Sequence, residues 1–81
     1  MYYPRLRDLR EDQELKQKEV AAVLGIDQRI YSNYEIGKRE IPAHHLIKLT
    51  DLYNTSADYI LGLTDNPAPY ERKRANRGVD A

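Results

Sequence analysis

Apolar positions recur along this chain at intervals of three and four rather than two, a period that predicts helices and no strand. Five helical stretches emerge. The first starts at Pro4, suited to a helical first turn, carries Leu6 and Leu9 on one face and ends near Asp12. The second runs from Gln17 to Leu24 and stops at Gly25, where a sharp exit demands the positive φ that glycine adopts most easily. Asp27 caps the third, Gln28 to about Ile36, and Gly37 closes it. The fourth begins after Ile41-Pro42, buries a stripe of Leu46, Leu49 and Tyr53, and breaks at Asn54-Thr55. The fifth, about Ser56 to Leu61, has a hydroxyl cap, Asp58 in its first turn and Gly62 at its end. The fold class is all-α.

From Asp65 onward the period is lost, and residues 71–78 offer no apolar face to bury. The expected organisation is one domain over residues 1–66, followed by a loose basic tail over 67–81. Eighty-one residues, 41% hydrophobic and 32% charged, suit a single small core. The longest apolar run, Val20 to Leu24, is far short of the roughly 18 residues a membrane span needs. Met1 to Arg5 lacks the layout of a secretory signal, so the expected location is the cytosol. There is no cysteine, which removes disulfides, thiolate metal sites and thiol catalysis. Formal charges cancel overall, but residues 1–66 sum to −2 and residues 67–81 to +2, so attraction to an acidic polymer must come from local placement.

The informative unit is Gln17 to Ile36, two helices joined by a tight turn. Its buriable residues are Val20, Leu24, Ile26, Tyr31 and Tyr34. Two helices that cross steeply need a small residue at closest approach, which Ala21 supplies, and a glycine at the reversal, which is Gly25. With those residues inward, Gln28, Arg29, Ser32 and Asn33 share the outward face of the third helix.

On these residues the chain resembles the helix-turn-helix proteins of the phage Cro and lambda-repressor type, the XRE family. The likeness covers residues 5 to about 64. It includes Leu6 with Leu9-Arg10, the stretch from Tyr31 to Pro42, and the closing Ser56-Ala57-Asp58-Tyr59-Ile60-Leu61-Gly62. It implies a compact five-helix, lambda-repressor-like DNA-binding domain with the third helix in the major groove and the second across the backbone. Gln28, Arg29 and Asn33 would then face base edges, with Ser32 beside them. Gln and Asn can pair bidentately with adenine and Arg with guanine, each good pair contributing about 1 to 3 kcal/mol of discrimination. Gln17, Lys38 and Arg39 would meet phosphates. The likeness also implies an ion pair between Arg10 and Glu35.

Three positions depart from the family pattern. Lys16 stands where Thr or Ser usually caps the second helix, losing a cap of about 0.5 to 2 kcal/mol while offering an ammonium to phosphate. Tyr31 replaces an aliphatic residue, so its hydroxyl must find a hydrogen bond or reach the surface, where it could touch DNA. Thr50 replaces a customary alanine, a change the sequence alone leaves without a reading.

Blander readings exist for each feature. Polar residues on a helix face are commonly just solvated; only the framework around Gln28, Arg29, Ser32 and Asn33 turns them into base readers. His44-His45 could suggest a metal, but adjacent helical residues point about 100° apart and no third ligand stands at a useful spacing. Arg72, Lys73, Arg74 and Arg77 could add sequence-independent affinity for DNA.

The sequence therefore leads to a sequence-specific regulator of transcription, a repressor, binding a near-palindromic operator as a homodimer through the fifth helix and Leu63. An antitoxin-like or adaptor module, presenting the same helices to a protein, is the alternative. No residues support an enzyme, and no cofactor, metal, small-molecule ligand or membrane is expected.

Overall fold

A computed structural model describes residues 2–71 of the protein; the tail cations Arg72, Lys73, Arg74 and Arg77 lie outside them. Five helices follow one another: α1 (Pro4–Asp12), α2 (Gln17–Leu24), α3 (Gln28–Glu35), α4 (Ala43–Tyr53) and α5 (Ala57–Ile60). The described residues contain no strand.

All five helices end in the same way. The residue after the last turn takes a left-handed conformation, and the next N–H reaches back to a carbonyl left open by the helix end. In α2 this is Gly25, with φ 71° and ψ 32°. There Gly25 N–H donates to Ala22 O at 3.1 Å and Ile26 N–H to Ala21 O at 3.0 Å. At the end of α3, Gly37 N–H donates to Tyr34 O and Lys38 N–H to Asn33 O, at 3.3 and 2.9 Å. At α1 and α4 the left-handed residue is not glycine but Glu14, φ 57°, and Asn54, φ 51°.

The helix starts differ more. Asp27 Oδ1 accepts Arg29 N–H at 2.7 Å, and Ser56 Oγ accepts Tyr59 N–H at 3.0 Å. An ammonium has only donors, so Lys16 makes no side-chain cap to α2; instead the Glu19 carboxylate accepts Lys16 N–H at 2.7 Å. Half of a capping box survives the substitution.

Leu6, Val20, Ala21, Leu24, Tyr31, Tyr34, Leu49, Tyr53 and Ile60 form the core, drawing on every helix. Ala21, 2% exposed, keeps α2 and α3 close enough to share it. Each large side chain fully buried here contributes about 1.5 to 3 kcal/mol relative to exposure. Two positions differ from expectation. The buried face of α4 is rotated toward His45, which joins Leu49 and Tyr53, while Leu46 is only half-buried. Tyr31 is fully buried, so it neither reaches the surface nor touches DNA in this fold. Its ring meets Tyr34 edge-on at 6.2 Å, which gives a bulky side chain a place where an aliphatic one was expected.

The stretch from Asp65, expected to be loose, is tethered as far as Tyr70. Thr55 Oγ1 donates to Pro67 O at 2.6 Å, and Tyr70 Oη donates to Asp58 Oδ2 at 2.9 Å. A groove of about 500 Å³ runs between α4 and this strap, lined by Leu46, Ile47, Ala57 and Tyr70 among others and by no residue of α3. Arg5 completes the closure. Its guanidinium lies 4.1 Å from the centre of the Tyr59 ring, donates to Tyr59 O at 2.8 Å and to Thr64 O, and pairs with Asp65 at 2.7 Å. The start of α1 is thereby bolted to the end of α5.

Candidate nucleic-acid interface

The third helix presents its polar residues outward because Asp27 fixes its start and Tyr31, Tyr34 and Glu35 fill its inner side. Gln28 and Arg29 are exposed, and Ser32 and Asn33 are half-buried. Residues 28 and 32, and 29 and 33, are each four apart, so the four side chains make two adjacent rows on one face. None of the four forms a side-chain hydrogen bond or ion pair among the described residues. Their donors and acceptors face solvent.

Lys16, at the start of α2, and Lys38 and Arg39, just after α3, are exposed. The turn carrying Lys38 and Arg39 is fixed by the Asn33 carbonyl, which accepts both of their backbone N–H groups, at 2.9 and 3.2 Å. Gln17, at the first position of α2, is half-buried, and its Nε2 donates to Glu35 Oε1 at 3.0 Å. One amide proton is thus engaged internally. The backbone N–H of Gln17 and its second amide proton are what it can offer to an anion.

Behind the face sits a buried charge pair. Arg10 Nε donates to Glu35 Oε2 at 2.6 Å and Nη2 to Glu35 Oε1 at 3.2 Å, with the two side chains 13% and 3% exposed. Arg10 Nη1 also donates to Leu15 O at 3.0 Å, so one guanidinium joins α1, the following loop and α3. Burial by itself would raise the Glu35 carboxyl. The bonds from Arg10 and Gln17 and the nearby Tyr31 hydroxyl outweigh that effect and hold it below the usual carboxylate range. The Tyr31 and Tyr53 hydroxyls meet no partner at hydrogen-bonding geometry among the described residues, so Tyr31 acts on Glu35 as a neighbouring dipole, not as a formed bond. Burial first, then the Glu35 carboxylate, pushes both phenols up, Tyr53 to about 12. Glu35 faces its partner cation and adds no exposed negative charge to the outward face of α3.

A second buried contact steadies the other side of α3. Tyr34 Oη and His45 Nδ1 are 2.9 Å apart, joining α3 to α4. Burial, then the charges of His44 and Lys48, lowers the His45 pKa. His45 is a packing residue here, with His44 tilted against it at 4.2 Å between ring centres. Among the described residues no group of three or more His, Cys, Asp or Glu side chains is placed to hold a metal ion. None of those helices is long and apolar enough to cross a membrane.

Arg5 has no role in the sequence reading, which weighs His45 only as a metal ligand and not as the buried partner of Tyr34. That reading leaves Thr50 unexplained; Thr50 Oγ1 donates to Ile47 O at 2.6 Å, one turn back in its own helix, which lets a hydroxyl be buried where alanine is customary.

The helix-turn-helix family profile matches residues 6–60. The chain is 45% identical over 74 residues to YobD, an HTH-type transcriptional regulator of Bacillus subtilis (strain 168), covering 90% of this chain and 66% of the relative. It is 36% identical over 76 residues to the HTH-type transcriptional regulator ImmR of the same organism, covering 94% and 60%. Over 62 residues it is 36% identical to the HTH-type transcriptional regulator AnsR, also from that strain, covering 76% and 53%. The chain thus spans about half to two thirds of the length of these relatives. No solved structure matches it. With α2 and α3 joined by the Gly25 turn and the profile spanning α1 to α5, the chain belongs to the XRE-type helix-turn-helix family.

Proposed function

We propose that this chain binds double-stranded DNA in a sequence-specific manner and regulates transcription as a repressor, with α3 in the major groove. The observation that carries this reading is the exposed set of Gln28, Arg29, Ser32 and Asn33, whose side chains have no partner among the described residues and whose α3 backbone is clamped from both sides by Arg10–Glu35 and Tyr34–His45. Gln28 and Asn33 match adenine, and Arg29 matches guanine. Lys16, Gln17, Lys38 and Arg39 contact phosphates and set the register of the helix.

The active species is a homodimer on a near-palindromic operator. One module reads few bases, whereas two modules a helical turn apart multiply their selectivity. Leu63, 73% exposed just beyond α5, supports that end of the molecule as the dimer surface. Selecting bound duplexes from a random pool tests binding and symmetry together. Enrichment of paired, inverted half-sites whose centres are about 10 base pairs apart is expected. A pool that stays unenriched at moderate salt contradicts the reading.

A further inference from the structure

The outward rows of α3 do not end in a polar residue. Ile36, the C-cap of α3, follows Ser32 by four positions and Asn33 by three, so it continues both rows begun by Gln28 and Arg29. It is 58% exposed. A lone exposed isoleucine is ordinary on a protein surface, but this one is set apart by its place on the reading face and by how firmly it is held. Ile36 N–H donates to Ser32 O at 3.1 Å, and the turn that follows is closed on Tyr34 O and Asn33 O. The exposed cations Lys38 and Arg39 follow it in sequence after Gly37, so along the chain Ile36 stands between the polar residues of α3 and the groups that would meet phosphate.

In the major groove, the apolar feature available to such a side chain is the C5-methyl of thymine. We infer that Ile36 determines specificity by packing against one thymine methyl in each half-site. The inference rests on the proposed placement of α3 in the groove. Eight residues separate Gln28 from Ile36, about 12 Å along the helix at 1.5 Å per residue. At about 3.4 Å per base-pair step, the thymine lies three to four pairs from the base met by Gln28.

Uracil differs from thymine by this methyl alone. The test uses the full chain, a duplex selected from random DNA, and a set of duplexes in which each thymine of the half-site is replaced in turn by uracil. Wild-type affinity is expected to fall about fourfold at one position, the value of one buried methyl group, three to four pairs from the Gln28 contact. Ile36→Ala should weaken binding to the thymine duplex by a similar factor and cut the uracil penalty at that position below twofold. Because the side chain is exposed, its thermal melt should match the wild type's. Selective binding with no thymine-to-uracil penalty, with the full penalty retained in Ile36→Ala, or at a site lacking thymine there overturns the inference and leaves α3 as a reader by its polar residues alone. Absence of selective binding overturns both.

Discussion

Replacing Arg10 with methionine tests what holds α3 in place. The substitution keeps most of the aliphatic stem but removes the Nε and Nη2 donors that lie 2.6 and 3.2 Å from Glu35, and the Nη1 donor to Leu15 O. Glu35, its side chain 3% exposed, is then left as a carboxylate with Gln17 as its remaining hydrogen-bond donor. Stranding one member of a buried pair costs about 3 to 5 kcal/mol, against 0 to about 1 for a surface pair. A domain of this size has a total stability of roughly 4 to 12 kcal/mol, so the midpoint of thermal unfolding should fall by on the order of 15 to 30 °C. The double variant Arg10→Met/Glu35→Leu should recover most of the loss, because removing both charges avoids the stranded one.

Acid provides an internal check on the same variant. In the wild type the Glu35 pKa is depressed, so its contribution is full above the unfolded-state value of about 4.3 and is lost as pH falls through the folded value. Without Arg10, burial dominates and the folded pKa rises above the unfolded one. The variant is then penalised at neutral pH and regains stability on acidification, so its deficit should shrink between pH 7 and pH 4. A loss under about 1 kcal/mol in urea unfolding at pH 7, or a deficit that does not change with pH, would mean that Arg10 does not hold Glu35 as a buried pair.

Other consequences can be checked by the same unfolding measurements. Glu14 holds a left-handed φ of 57°, so Glu14→Gly should stabilise by up to about 1 kcal/mol, whereas Gly25→Ala, at φ 71° with open space around the added carbon, should destabilise by about 1 to 2 from backbone strain alone. His45 has a lowered folded pKa, so acidification below about pH 6.5 makes the unfolded chain the better proton binder and stability declines; His45→Gln should flatten that decline. Lys16→Thr should restore a cap and raise stability by about 1 kcal/mol, while reducing the log-log salt slope of DNA binding by about 0.9 if the ammonium meets one phosphate.

The helix-turn-helix unit was legible because its punctuation is local. Asp27, Gly25 and Gly37 each satisfy an open helix end within a few residues, and α2 and α3 fall within one residue of where those signals put them. Arg5 was invisible for the opposite reason. Two of its acceptors are backbone carbonyls of Tyr59 and Thr64, 54 and 59 residues away, and a carbonyl carries no residue identity to read. Tethering of the segment after Asp65 was missed for a related cause, since Thr55 bonds the carbonyl of Pro67. In α4, a stripe built from leucines alone put Leu46 inward; the Tyr34 hydroxyl gives His45 a buried partner, and the helix turns that side to the core. The outward residues of α3 could be named from what was left after the inward ones were assigned, but what they meet is a property of the partner.

On the proposed function, Arg29 and Asn33 read bases without supporting the fold. At fixed ionic strength, wild type and an Arg29→Ala/Asn33→Ala variant would be titrated against a selected duplex and a scrambled one, with urea unfolding run in parallel. The variant should lose its preference for the selected duplex by a factor of about 30 or more, from two contacts of about 1 to 3 kcal/mol each, while its stability changes by less than about 1 kcal/mol. A variant that keeps the wild-type preference, with its fold intact, contradicts base reading by these two residues.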